Sequence, residues 1–189
     1  AIAYQFGLLQ SHPSFSAGNF FSFFTIQSNV LAATMLVLVA LVRRDERTRW
    51  FDVARGAVAL YIAITGVVFA LLLSGLQEEL DTHNGFVNFV VHTLVPVVVI
   101  VDWLVDPPRH RVGAKLALAW LLYPLAWFAY TLIRGEAVGW YPYPFVDVDR
   151  LGYDGVLLRS IAFLVAFAAA ALAFGALGDR RASRASGDV

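Results

Sequence analysis

The chain has 189 residues, 59% of them hydrophobic and 15% charged, with a mean hydropathy of +0.68. That is too apolar for a soluble globular domain and points to a polytopic, all-α integral membrane bundle. Fourteen Lys and Arg balance fourteen Asp and Glu, which argues against a nucleic-acid partner. Cysteine is absent, which excludes disulfides, thiolate metal sites and cysteine nucleophiles.

In chain order, residues 1–9 are apolar but too short to cross a bilayer, and they lack the basic flank of a signal peptide. They read as the tail of a further span, which makes six transmembrane helices in the intact protein. Residues 10–19, with Pro and Gly among polar side chains, read as a loop. Complete spans follow at about 20–42, 52–74, 85–105, 115–133 and 155–177. About 20 apolar residues at about 1.5 Å each cross the roughly 30 Å hydrocarbon core. The intervening 75–84 loop is acidic, the 134–154 loop is long and aromatic, and residues 178–189 form a tail. The whole of 1–189 reads as one transmembrane helical domain.

Cytoplasmic loops carry the excess of Lys and Arg. Arg43, Arg44, Arg47 and Arg49 fall on the same side as Arg109, Arg111, Lys115, Arg180, Arg181 and Arg184. The expected location is therefore the plasma membrane with both termini cytoplasmic, and the 10–19, 75–84 and 134–154 loops outside. Small-residue stripes at Ala59, Ala63, Gly66 and Ala70, and at Ala162, Ala166, Ala170 and Ala173, read as helix-packing faces. The second stripe predicts that Arg159, one turn outward, also points inward.

Within the 85–105 span, Asn88, His92 and Pro96 recur every four residues and share one side of a helix. An ionisable residue at that depth is a candidate for function, because polar groups in hydrocarbon must face protein. The plainer reading makes His92 a hydrogen-bonding residue between helices. Thr25 and His92 both lie about 7 to 11 Å below the same surface, with Asn29 one turn from Thr25. A hydroxyl and an imidazole at one depth are the minimal parts of a nucleophile and its general base. The rival for Thr25 is a hydrogen bond back to its own helix. Asn88 and Asn29 are candidates to orient groups or bind substrate, and Arg159 to stabilise an oxyanion, with snorkelling to the outer head groups as the alternative for Arg159. Trp127 and Tyr130 are candidate substrate contacts, with an interfacial aromatic belt as the alternative. No metal site or cofactor is expected. His92 is the only histidine at depth, which leaves haem without a facing ligand, and retinal would need a buried Lys where the single Lys115 stands at a helix end. Asp102 sits near the basic end, where interfacial capping accounts for it.

Three stretches resemble the androgen-induced and androgen-dependent TFPI-regulating membrane proteins, and most of all their bacterial six-span relatives. They are Thr25 with Asn29; Asn88-Phe-Val-Val-His92-Thr93 with Pro96; and Gly139-Trp140-Tyr141-Pro142-Tyr143-Pro144-Phe145. The likeness covers nearly the whole chain in order and spacing. The Thr segment departs from that pattern, with Ser28 three residues after the Thr where an Asn is expected. The resemblance implies an intramembrane threonine hydrolase that cleaves lipid esters such as fatty acid esters of hydroxy fatty acids, with Thr25 as nucleophile and His92 as base. Its partners would be the lipid ester and membrane lipids. A non-catalytic lipid-binding protein and a small-molecule transporter are the alternatives.

Overall fold

The computed structural model describes residues 1–75 and 84–187. Among them the fold is helical with no strand. The longer helical elements follow in order: α1 (Ile2–Leu9), α2 (Ala17–Ser22), α3 (Phe24–Leu41), α4 (Arg49–Val68), α5 (Gly85–Val105), α6 (Ala114–Val138) and α7 (Val148–Gly187), with single 3-10 turns at Arg44–Glu46 and Pro144–Val146. α4 runs on through one wide turn of π type at Phe69–Leu73, and α5 contains another at Val90–Leu94. α6 is interrupted at Trp120 and Leu121, and α7 has a non-helical Gly152 near its start. The five helices α3 to α7 are long and apolar enough to cross a membrane.

α4 is the axis of the bundle. Its residues Val58 to Ile62 are buried one after another, so it is covered all round rather than along one stripe. It packs on α3, α5 and α7. The first expected small-residue stripe serves this packing in part. Ala59 is fully buried, and a Cβ at Gly66 would lie 3.2 Å from both the His92 carbonyl oxygen and Pro96. Ala70 is exposed.

The second stripe is corrected. Ala162, Ala166 and Ala173 are exposed. The inward face of α7 is carried instead by Val156, Phe163, Phe167, Ala171 and Gly175, whose spacing of seven and four residues defines a single helical side. Arg159 stands one turn from both Val156 and Phe163, yet its side chain does not enter the bundle. It is exposed, and its guanidinium folds back onto the Gly155 carbonyl at 2.9 Å.

Several expected bounds also shift. The 20–42 span breaks at Phe23, while 52–74 begins earlier, at Arg49, where the Thr48 side chain caps the first turn through the Phe51 N–H at 3.3 Å. The 115–133 and 155–177 spans both lengthen, so the 134–154 loop shrinks to the stretch between Val138 and Val148. The 178–189 tail is helical to Gly187. Hydropathy locates the apolar part of a helix, whereas backbone hydrogen bonds continue through the polar turns beyond it. Most of the 75–84 loop, His83 included, lies outside the described residues.

At the arginine-rich end, charges meet in the interior. Arg55, 2% exposed, donates to the Asp102 carboxylate at 2.7 and 3.0 Å and to the Asp106 carbonyl at 2.7 Å. Its guanidinium carbon lies 5.5 Å from the centre of the Trp103 ring. Asp102 is thus half of a helix-to-helix ion pair between α4 and α5, and not an interfacial cap. Arg47 pairs with Asp106. Asp52, 1% exposed, accepts from the backbone N–H groups of Arg109 and His110 and lies 2.8 Å from the His110 Nδ1.

Candidate functional site

The site begins with the break at Phe23. In an unbroken helix the carbonyls of Phe21 and Ser22 would accept the N–H groups of Thr25 and Ile26. Here side chains take those carbonyls: Gln27 donates to Phe21 at 2.8 Å and the Trp127 indole donates to Ser22 at 2.9 Å. Tyr123 holds Gln27 in place through a 2.7 Å bond to its amide oxygen, and Tyr130 meets the Ser22 hydroxyl at 2.8 Å. Phe23 is left extended, at φ −64° and ψ 126°, and α3 restarts at Phe24. Thr25 therefore stands in the first turn of a helix, where backbone N–H groups have no intrahelical acceptor.

The Thr25 N–H finds the Tyr143 hydroxyl at 3.2 Å, and the same hydroxyl lies 3.1 Å from Thr25 Oγ1. On its other side Thr25 Oγ1 is 3.4 Å from His92 Nε2. That is longer than the 2.6 to 3.2 Å span suited to proton transfer, as is common in sites without a bound substrate. The imidazole stacks on Phe69 with centroids 3.7 Å apart and planes 9° apart, and it also lies against the backbone of Asn88, one turn earlier.

Both π turns sit at this contact, Phe69 in that of α4 and His92 in that of α5. Each adds one residue to a turn, so buried positions that would recur every three or four residues are spaced by five, from Val91 to Pro96. Pro96 has no N–H to give the His92 carbonyl, and Gly66 of α4 packs against that carbonyl. Asn29 joins the two halves of the site, its amide donating to the Thr25 carbonyl at 2.9 Å and to the Val91 carbonyl at 3.1 Å. Beneath it, Ser28 and Thr65 hydroxyls meet at 2.9 Å.

Thr25 also borders a cavity of about 240 Å³. Its walls come from α3, α4, α6, α7 and the segment between α6 and α7, and they are apolar apart from Thr25, Thr65, Ser160 and the polar tips of Trp127 and Tyr143. Leu125, Leu157, Ile161 and Leu164 line the cavity and are 38 to 56% exposed. The opening therefore lies on the side of the bundle, where the Leu122–Val138 part of α6 stands apart from α7. His92 is not a wall residue, so the Thr25 hydroxyl stands between the cavity and the imidazole.

Of the expected site residues, Thr25 and His92 meet through their side chains. Asn29 acts on the backbones that carry them, and Asn88 meets the imidazole through its backbone. Trp127 borders the cavity while its indole N–H fixes the break. Tyr130, 42% exposed, bonds to Ser22 and not to the Thr25 layer. Arg159 plays no part there, because its exposed guanidinium bonds back to the Gly155 carbonyl of its own helix. Tyr143 and Phe69 were missed. The signal for Tyr143 was the stiff Tyr-Pro-Tyr-Pro-Phe stretch, whose two prolines fix the backbone; nothing local distinguishes Phe69 from the other apolar residues of α4. Among the described residues, no three His, Asp or Glu side chains converge as metal ligands.

Fold and site together define the class: an all-α, multi-helix membrane protein with a neutral polar layer beside a laterally open apolar cavity. No protein-family model, curated protein or solved structure matches the chain.

Proposed function

We propose that this protein is an intramembrane hydrolase of lipid esters, with Thr25 as nucleophile and His92 as general base. The observation that carries this reading is the contact of Thr25 Oγ1 with His92 Nε2 at the wall of an apolar cavity. Threonine is a weak nucleophile when protonated, and an adjacent neutral imidazole is the group that activates it.

In the first half-reaction His92 Nε2 takes the Thr25 hydroxyl proton as Oγ1 bonds to the ester carbonyl carbon. The carbon–oxygen bond to the alcohol then breaks, and the alcohol oxygen takes the proton from His92. In the second, water attacks the acyl-threonine while His92 accepts a water proton. The acid leaves, and His92 returns that proton to Thr25 Oγ1. One ester and one water give one acid and one alcohol. The lateral opening suits a substrate that arrives from the bilayer with its acyl chain already in hydrocarbon. The resemblance to the androgen-induced family names fatty acid esters of hydroxy fatty acids as the first esters to try. The basic-residue bias favours the plasma membrane with the arginine-rich end in the cytoplasm.

The test is hydrolysis of a panel of fatty-acid esters by the purified chain in detergent, together with labelling by a fluorophosphonate. Thr25→Ala and His92→Ala, checked for intact helicity and melting temperature, are expected to lose both hydrolysis and labelling. A wild type that neither hydrolyses nor labels would sink the hydrolase and leave the cavity as a lipid-binding site. That second reading draws on its almost wholly apolar walls.

A further inference from the structure

The hydrogen bonds around Thr25 have a direction. The Thr25 N–H can only donate, so Tyr143 Oη accepts there. The phenol then has its own hydrogen free for Thr25 Oγ1, 3.1 Å away. Thr25 in turn has its hydroxyl hydrogen free for His92 Nε2. The series ends on a basic nitrogen, and a phenol with an ordinary pKa of about 10 remains protonated at neutral pH. Tyr143 is 5% exposed and borders the cavity. Its ring is stacked on Phe145, with centroids 5.1 Å apart and planes 8° apart. Tyr143 Oη and the Thr25 N–H thus lie beside the atom that attacks, and both residues border the cavity from which an ester would come.

We propose that Tyr143, with the Thr25 backbone N–H, forms the oxyanion site of this hydrolase. The inference rests on the assignment of Thr25 as nucleophile. When Oγ1 bonds to the carbonyl carbon, the carbon–oxygen π pair moves onto the carbonyl oxygen. That oxygen forms beside Oγ1, and the Thr25 N–H turns to it from Tyr143 Oη, its acceptor in the free site. Tyr143 turns its hydrogen from Oγ1 onto the new oxyanion and keeps its proton throughout. Fixed donors aimed at developing charge in an apolar surround are the strongest kind of electrostatic catalysis. The break at Phe23 supplies one of them, since an unbroken helix would have given the Thr25 N–H to Phe21.

The experiment compares wild type, Thr25→Ala and Tyr143→Phe as full chains in detergent, with ester hydrolysis, fluorophosphonate labelling rate and melting temperature as readouts. Tyr143→Phe keeps the ring and its stack. It is expected to lower kcat roughly 100-fold with KM little changed, and to slow labelling in step, because the phosphonyl oxygen uses the same donors. Hydrolysis and labelling that survive in Tyr143→Phe but vanish in Thr25→Ala overturn the oxyanion site and leave the nucleophile standing. A raised KM at unchanged kcat does the same, making Tyr143 a wall of the cavity. A wild type that neither hydrolyses nor labels removes the nucleophile, and the oxyanion site with it. If Tyr143→Phe fails to fold, difluorotyrosine at position 143 preserves the shape and makes the phenol more acidic. Activity is then expected to fall away at lower pH than in the wild type, and an unchanged pH profile overturns the proposal.

Discussion

The two ends of the bundle bury polar groups in opposite ways. At the arginine-rich end the interior holds formal charges, Arg55 against Asp102, Arg47 against Asp106, and Asp52 beneath His110 and two backbone N–H groups. At the aromatic end the layer around Thr25 is built from hydroxyls, an amide, an indole and one imidazole. Opposite charges that satisfy one another in a low-dielectric interior hold the helices in register, and separating them is costly. A neutral layer tolerates the movement of a proton from hydroxyl to imidazole without breaking an ion pair. The cavity at Thr25 lies in the second region, and the helix-to-helix clamps in the first.

This contrast can be broken at either end. The largest effect on folding is expected from Arg55→Ala, which removes a fully buried side chain and leaves the half-buried Asp102 opposite no guanidinium. About 3 to 5 kcal/mol of stability should be lost, read as the shift in thermal unfolding in detergent. Ester hydrolysis by the fraction that remains folded should be close to that of the wild type.

Gly135→Ala tests the segment that carries Tyr143. A Cβ there would lie 2.0 Å from the Tyr141 ring, so the α6–α7 connection must move outward. A loss of about 1 to 3 kcal/mol should accompany a fall in hydrolysis, and full activity would show that Tyr143 reaches Thr25 without that anchor.

Asn29→Ala removes the amide bridging the Thr25 and Val91 carbonyls and should cost on the order of 1 kcal/mol. Because it holds α3 to the π turn of α5, kcat should fall while the Thr25 labelling site stays accessible. A variant that matches the wild type in both would remove Asn29 from the site. At the small end, Arg159→Gln should alter neither melting temperature nor hydrolysis, since the guanidinium bonds its own helix on the exposed face.

What was legible in the sequence follows from how each feature is encoded. Apolar runs are local, so the five long helices and the 85–105 bounds could be read directly. The depth of Thr25 and His92 came from counting residues inward along two helices, and the structure brings their side chains into contact. Asn29 was placed one turn from Thr25, but its bond to the Val91 carbonyl depends on how α3 meets α5. Arg55 and Asp102 sit far apart in sequence on separate spans, and no local pattern pairs them. Arg159 was expected to point inward because an alanine stripe looks like a packing face, while Val156, Phe163, Phe167, Ala171 and Gly175 make the actual one.

By itself, then, the amino-acid order determined the membrane class, the number of long apolar helices and the shared depth of Thr25 and His92, because hydropathy and helical rise act within a single segment. The tertiary structure alone decided the break at Phe23, the paired π turns, the lateral cavity and the presence of Tyr143 beside Thr25. Each depends on groups from different segments competing for the same backbone hydrogen bonds. Gln27 and Trp127 take the carbonyls of Phe21 and Ser22, and the N–H released by that exchange puts Thr25 at the start of a helix with Tyr143 against it.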